Sequence, residues 1–426
     1  MRTSGLASIQ RHGHRVPAFT RVYRGAVASL GQHCFRMIAF FFLLYPLSTF
    51  ARSGPQHLSF RPMSMGNAFV AVVDDKDALF YNPAGLNLIN ALGNPKRRPG
   101  MSYPRDRMDL RMDVIGLTSP NLSDLLDFKN IYNNHQNSFS DQNTFLNDST
   151  LQTDLTPFDR KPIHVGVLHG SEFAMHNFGF AYWADATVAP YADQGILLPQ
   201  AGVERIQIDA VIQLAGARGF MNDKLSVGVG YRLANRQQVE NYQLAASDFG
   251  NDNLKHSVID TLNGKLENYG NPLSYGHGID VGALWQQYSW LRFGAAVQNM
   301  GMYLNGDPVT PEFTVGAAAT PAILQHGGIF GRKVNFAVDL EDLFNNDHNY
   351  KPLNKINFGA EVEQYLWWIA SVRLASGFKG GYWTGGLGLS LFKSIHVDAV
   401  TWAEEKGYYT GQTEDRYFAI NVGLGI

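Results

Sequence analysis

The stretch Arg205-Ile206-Gln207-Ile208-Asp209-Ala210-Val211-Ile212-Gln213-Leu214 places apolar side chains at 206, 208, 210, 212 and 214, and charged or amide side chains at 205, 207, 209 and 213. A period of two is the mark of a strand with one apolar and one polar face. The following segment repeats it, with Leu225, Val227, Val229, Tyr231 and Leu233 opposite Ser226, Gly228, Gly230 and Arg232. Between them Gly219-Phe220-Met221-Asn222-Asp223 reads as a short turn. The last residues do the same, Phe418, Ile420, Val422, Leu424 and Ile426 opposite Ala419, Asn421, Gly423 and Gly425.

A soluble β-sandwich shows this alternation too, with its apolar face turned to a core. Strand number and loop lengths separate the alternatives. The pattern predicts strands near 107–118, 162–169, 176–188, 202–218, 224–240, 276–287 and 290–300, then 311–320, 331–341, 354–364, 367–376, 382–392, 394–403 and 416–426. That is about fourteen, an even number, as single-chain bacterial barrels require. With the N-terminus in the periplasm, the connections 119–161, 189–201, 241–275, 301–310, 342–353, 377–381 and 404–415 fall outside. Those at 170–175, 219–223, 288–289, 321–330, 365–366 and 393 fall inside, and all but 321–330 are tight turns. Long outer loops with short inner turns are the asymmetry of an outer-membrane barrel, and a sandwich has no reason to sort its loops this way. The expectation is an all-β fold, a transmembrane antiparallel β-barrel of about fourteen strands in the bacterial outer membrane.

Composition agrees. Among 426 residues, charged side chains make up 17%, aromatics 12%, and there are 43 glycines. Soluble domains carry about 25% charged residues, so this mix suits a lipid-facing wall of strands. Trp183, Tyr231, Trp285, Tyr288, Trp290, Tyr365, Trp367, Trp368, Tyr382, Trp383 and Trp402 lie near predicted strand ends, where interfacial girdles sit. The net charge of −2 gives no nucleic-acid footprint. The apolar run Met37–Leu47 is too short to span a bilayer; with Arg21, Arg24 and Arg36 before it and Ser48-Thr49-Phe50-Ala51 after it, it reads as a secretory signal. The expected organisation is a leader over 1–51, a small N-terminal plug over 52–100 and the barrel over 101–426. The one cysteine, Cys34, falls in the leader, which leaves the rest without a thiol for a disulfide or a cysteine-ligated metal.

Between leader and strands lies Ser64-Met65-Gly66-Asn67-Ala68-Phe69-Val70-Ala71-Val72-Val73-Asp74-Asp75-Lys76-Asp77-Ala78-Leu79-Phe80-Tyr81-Asn82-Pro83-Ala84-Gly85-Leu86. It is too rich in small and turn-forming residues for a regular helix or strand; Pro83 fixes φ and Gly85 frees it. The Asn82-Pro83-Ala84 sequence, preceded by Gly66-Asn67-Ala68-Phe69, resembles the N-terminal plug of the FadL-like outer-membrane barrels, a superfamily of hydrophobic-compound transporters and PorV-type relatives. The resemblance implies that residues from about 53 to 95 fold inside the barrel. It implies that Gly66, Asn82, Pro83, Ala84 and Gly85 brace and gate the plug. It also implies passive uptake of small hydrophobic molecules, such as fatty acids or hydrocarbons, with no cofactor. The alternative it leaves open is a non-transporting PorV-like scaffold for secreted or surface proteins. The partners implied are a hydrophobic ligand, outer-membrane lipid and lipopolysaccharide, and the barrel assembly machinery.

Inward registers carry Arg205, Arg232, Arg292 and Arg373 among near-balanced carboxylates (Asp209, Asp280, Asp339, Glu361, Glu363, Asp398). They read either as a selectivity ladder for an anionic head group or as ion pairs across neighbouring strands. Asp74, Asp75 and Asp77 lack the glycine and closing glutamate of a calcium loop, and are expected as a solvated turn rather than a metal site. Ser119–Tyr132 reads as a short capped helix in the first outer loop. No nucleophile elbow, His-Glu-x-x-His or phosphate-cradling loop is present, so no enzyme is expected.

Overall fold

The structure, a computed structural model, describes residues 54–55, 57–89, 108–120, 122–140, 144, 147–158, 164–193, 200–244, 275–304, 306–325, 330–344, 352–366, 369–392, 394–405 and 414–425. The expected leader and the basic link at 93–100 lie outside these residues. The strands are β1 (Met108–Pro120), β2 (Val165–Met175), β3 (Phe178–Asp193), β4 (Gln200–Phe220), β5 (Leu225–Leu244), β6 (Tyr275–Tyr288) and β7 (Leu291–Met300). After a two-stranded ribbon of β8 (Tyr303–Leu304) and β9 (Asp307–Pro308) come β10 (Glu312–Ala319), β11 (Arg332–Leu340), β12 (Ile356–Leu366) and β13 (Ala370–Lys379). The last three are β14 (Tyr382–Leu391), β15 (Ile395–Glu405) and β16 (Glu414–Gly425).

Apart from the ribbon, each strand pairs with its sequence neighbours, β7 pairs with β10, and β16 returns to β1, which closes a barrel of fourteen strands. Every pairing is antiparallel, for example Ile212 opposite Leu233 and Leu374 opposite Leu387. Closure leaves no unpaired edge, which is the condition for a sheet to live in lipid. The alternation at 205–214 is realised as drawn: Ile212 and Leu214 are exposed on the outside, while Asp209 and Gln213 are buried inside. The same outward row continues through Leu117, Val167, Val229, Ile279, Phe293, Phe336, Phe358, Leu374, Leu387 and Ile420, all exposed. An apolar belt around a closed barrel is stable against acyl chains and not against water. This is an outer-membrane protein.

Strand positions match expectation closely, with three corrections. Residues 170–175 are not a turn: β2 runs to Met175, and the hairpin turns at His176-Asn177, where Asn177 adopts φ 68°. Ser171 and Glu172 look like turn formers, but Glu172 faces the interior, where Lys76 and His57 receive it. The connection expected at 377–381 shrinks to Gly380-Gly381, both with positive φ, as a two-residue hairpin requires. Finally, two of the expected girdle aromatics point inward. Trp183 is 1% exposed and Trp402 6%; strand parity puts both on the lumenal face, against apolar partners there. Tyr231, Trp285, Tyr288, Trp290 and Trp383 do face outward, and Trp367 and Trp368 lie outside the described residues.

Inside the barrel sits the N-terminal segment, with helix α1 (Phe60–Ser64), helix α2 (Ala78–Tyr81) and a 3₁₀ stretch over Pro83–Leu88. The first outer connection carries α3 (Leu122–Asn134), α4 (Gln136–Ser140) and α5 (Ser149–Leu155).

Candidate functional site

The interior is the site, and glycines shape it. A Cβ added at Gly179, Gly228, Gly282, Gly294, Gly316, Gly359, Gly377 or Gly386 would fall closer than 3.0 Å to an atom of the N-terminal segment. These eight positions lie on β3, β5, β6, β7, β10, β12, β13 and β14. Ser64 lies at Gly386, Met65 at Gly359 and Gly377, Val70 at Gly294 and Gly316, and Pro83 at Gly228 and Gly282. The segment therefore follows the wall round most of its circumference, in van der Waals contact with bare backbone. On β11 the glycine is replaced by Asp339, whose Oδ2 accepts the backbone N–H of Phe69 at 2.6 Å and of Val70 at 2.7 Å.

The motif residues hold this course. Asn82, fully buried, is extended at φ −159°, as the residue before a proline prefers. Its Oδ1 accepts the Ala84 N–H at 3.1 Å and so caps the 3₁₀ stretch. Its Nδ2 donates to Val70 O at 2.9 Å, and to the wall carbonyls of Ala283 and Ala295 at 3.2 and 3.4 Å. One side chain thus ties the two halves of the segment to β6 and β7. Gly66, at φ 65°, fits between the carbonyls of Phe358 and Phe378. Asn67 shares that left-handed conformation and accepts from Tyr81 Oη at 2.7 Å. Gly85 packs on Val73 and Ala78.

Charged side chains complete the fit. Arg61 of α1 forms a two-pronged pair with Glu361 of β12, its Nε at 2.8 Å, and reaches Asp74 at 3.1 Å and Asp75. Lys333 of β11 pairs with Asp74 at 2.8 Å. Burial works against the Arg61 charge, but Glu361 and Asp75 override it and raise its pKa. The expected solvated turn at 74–77 is therefore an ion-paired, mostly buried one, because cations from α1 and β11 come to meet it. Lys76 behaves likewise: burial is overcome by Asp77 and Glu172, which raise it.

The four inward arginines do not form a ladder. Arg232 pairs with Asp280 at 2.9 Å and donates to Asn299 at 2.9 Å and to Pro55 O at 3.1 Å. Arg292 donates to the backbone carbonyls of Ala71 and Val72 at 3.2 and 3.4 Å, and to Gln286 at 2.9 Å. Arg373 shares Asp398, at 2.7 Å, with Arg111. Arg205 is exposed on β4.

Two apolar clusters lie between segment and wall. The larger joins Met65, Phe69, Val70, Leu79, Phe80 and Leu86 to wall residues such as Ala181, Trp183, Val211 and Leu284. The smaller sets Phe60 and Met63 of α1 against Leu168, Val400, Trp402, Tyr417 and Ala419 on β2, β15 and β16, with Trp402 and Tyr417 stacked at 5.2 Å. His57, Asp113 and Glu172 bring metal-ligating atoms within 4.8 Å of one another. Lys76 pairs with Glu172, and Arg111 with Asp113 at 3.1 Å, so the chain's own cations neutralise the group and it does not suit a metal.

Sequence reasoning missed Arg61 and the wall glycines, and it placed Asp339 inward without finding that it receives the backbone of Phe69 and Val70. The readable signal was a glycine recurring on the inward register of successive strands, as at Gly228 and Gly282, where lumenal polarity alone asks for no small residue.

No family model matches the chain, and no curated protein matches its sequence. Among solved structures it is similar to the toluene transporter TbuX of Ralstonia pickettii, with a TM-score of 0.43 and 13% identity over 87% of this chain and 97% of that one. It is also similar to a deltaS2 mutant of the monoaromatic hydrocarbon channel TodX, with a TM-score of 0.45 and 11% identity over 89% and 99%. The monoaromatic hydrocarbon channel CymD follows at 0.40 and 11% over 85% and 95%. At these values it is a likeness of architecture alone.

Proposed function

We propose that the chain is a plugged outer-membrane channel for passive uptake of small hydrophobic molecules, with fatty acids and hydrocarbons as the cargo classes. The observation that carries the reading is the occupied interior. Residues 57–89 follow the wall from β3 to β14 and bury two apolar clusters against it. An interior so filled denies porin-like diffusion to hydrated solutes. A small apolar molecule, by contrast, gains from every apolar surface it meets between segment and wall. No covalent chemistry or cofactor enters. In this reading Gly66, Asn82, Pro83, Ala84 and Gly85 set the resting position of the plug, and the arginines hold it there. Lipid and lipopolysaccharide surround the wall, and the barrel assembly machinery inserts it.

The buried ion pairs favour a second reading. A lumen braced by Arg61–Glu361, Arg232–Asp280 and Lys76–Glu172 is also what a non-transporting scaffold for secreted or surface proteins would have. One experiment separates the two. The protein is purified from outer membranes in mild detergent, and its bound small molecules are read by mass spectrometry, alongside uptake of labelled toluene and oleate by cells with and without it. Co-purified apolar ligand with protein-dependent uptake supports transport. An empty barrel that retains a protein partner and confers no uptake overturns it in favour of the scaffold.

A further inference from the structure

The outer connection between β1 and β2 contains a histidine placed for a task that neither reading uses. His135 closes α3, its backbone N–H donating to Ile131 O at 3.0 Å. Its ring lies between two carboxylates: Nδ1 is 2.9 Å from Asp148 Oδ2, and Nε2 is 3.1 Å from Asp154 Oδ2. Asp148 is itself shared. Its Oδ1 caps α5, accepting from Thr150 N at 3.1 Å and Leu151 N at 2.9 Å. Its Oδ2 also accepts the Ser138 hydroxyl of α4 at 2.6 Å. The ring therefore joins the end of α3 to both neighbouring helices.

A neutral imidazole has one N–H, so it can donate to one of these carboxylates and must oppose the other with a lone pair. Only the imidazolium donates to both. The carbonyl end of a helix of thirteen residues adds a further preference for positive charge at that place. We propose that His135 is a proton-operated clasp: charged, it binds α3, α4 and α5 into one cap at the outer mouth, and neutral, it lets that cap loosen. The groups that face the ring are Asp148 and Asp154, from α5 and its cap, and Ser138 from α4.

The direction of the pH dependence follows from the partners. Hydrogen bonds from Asp148, then Asp154, raise His135 above its ordinary 6.5. Its contribution is thus complete below about 6.5, the unfolded value, and is lost as pH rises through the raised one. Asp148 is depressed, by the Ser138 hydroxyl first and the Leu151 N–H second. Its contribution is complete above its ordinary 3.8 and is lost only as pH falls through the depressed value. The cap is closed below the ordinary histidine value and relaxes as pH rises through the raised one.

The test is hydrogen–deuterium exchange on the full chain in detergent micelles between pH 5.5 and 9, with each rate corrected for its intrinsic pH dependence. Peptides from 122–158 are expected to exchange several-fold faster at the alkaline end, while peptides from β4 to β6 do not change. In His135→Gln the corrected profile becomes flat. In Asp154→Asn, which leaves one carboxylate, the midpoint moves down towards the ordinary histidine value. A flat profile in the wild type, an unchanged profile in His135→Gln, or an unmoved midpoint in Asp154→Asn overturns the clasp. All three readouts are independent of cargo, so failure of the transport reading leaves them intact.

Discussion

The wall meets its N-terminal segment in two different ways. From β3 to β14 it offers bare backbone besides its side chains, with inward glycines and Asp339 admitting residues 64–86 to close approach. From β15 through β16 to β2 it offers side chains. There Val400, Trp402, Tyr417 and Leu168 face Phe60 and Met63, and Glu172 faces Lys76. Glycines of that second arc meet wall neighbours instead, Gly116 against Leu168 and Gly423 against Arg111. Main chain against main chain has no rotamers with which to absorb an error, whereas side chains do. The long arc therefore fixes where the segment sits, and the short arc tolerates adjustment. Any movement of the segment within the barrel is expected to begin along the short arc.

The largest effect tests the charged anchor of the long arc. Removing Arg61 takes the paired guanidinium from Glu361 and Asp75 and one of the cations from Asp74. Breaking a buried pair from one side costs about 3–5 kcal/mol, and Arg61→Leu is expected to lower thermal stability in detergent by that order. It is also expected to expose residues 60–89 to added protease. If Arg61→Leu keeps wild-type stability and protease resistance, the segment is not anchored here.

A second pair of variants compares the arcs at equal chemistry. In Gly228→Ala the new methyl would meet the backbone of Pro83 and Ala84, which has nowhere to go. Overpacking of this kind costs about 1–3 kcal/mol. In Gly116→Ala the nearest atom is Leu168 Cβ at 3.0 Å, which asks for a shift of only a few tenths of an ångström, so the loss is expected to be under about 1 kcal/mol. Equal melting shifts for the two would erase the distinction between arcs.

How much of this was legible follows from what each feature depends on. The strands could be read because the alternation at 205–214 and 225–233 is a one-dimensional code. The turn at Asn82-Pro83 could be read because it is local: the capped turn needs no distant partner. The contacts that seat the N-terminal segment could not. Arg61 and Glu361 are 300 residues apart, and nothing in Phe60-Arg61-Pro62 announces a partner on β12. Trp183 was misplaced for the same reason: an aromatic near a strand end suits a membrane interface, and only the segment inside the barrel explains why it turns inward, against His57 and the apolar cluster. Asp74 and Asp75 looked solvated because their cations arrive from elsewhere in the chain.

Asn82→Ala comes next in size. It removes the donor to Val70 O, Ala283 O and Ala295 O and the cap on Ala84, all in the interior. The wall carbonyls keep their ladder partners, so the loss is expected at about 1–3 kcal/mol, the desolvation cost of groups left without their hydrogen bond. Asn82→Asp keeps the cap but turns a buried carboxylate oxygen towards those three carbonyls, so it is expected to lose more than Asn82→Ala. A loss smaller than that of Asn82→Ala would assign the whole effect to the cap and none to the wall.

The smallest effect belongs to a pair that bridges the two arcs. Arg373 of β13 shares Asp398 of β15 with Arg111 of β1, and Asn421 reaches Asp113 beside them at 2.6 Å. Deleting Arg373 therefore leaves Asp398 with a cation, and the lost hydrogen bond should cost about 1 kcal/mol. Arg373→Leu is expected to keep residues 60–89 protease-resistant, because its partner Asp398 belongs to the wall and not to the segment. If instead Arg373→Leu releases the segment as Arg61→Leu does, a pair within the wall bears the segment as well, and the division of the wall into a fixed and an adjustable part fails. If both variants leave residues 60–89 protected while Gly228→Ala releases them, main-chain fit alone holds the barrel closed.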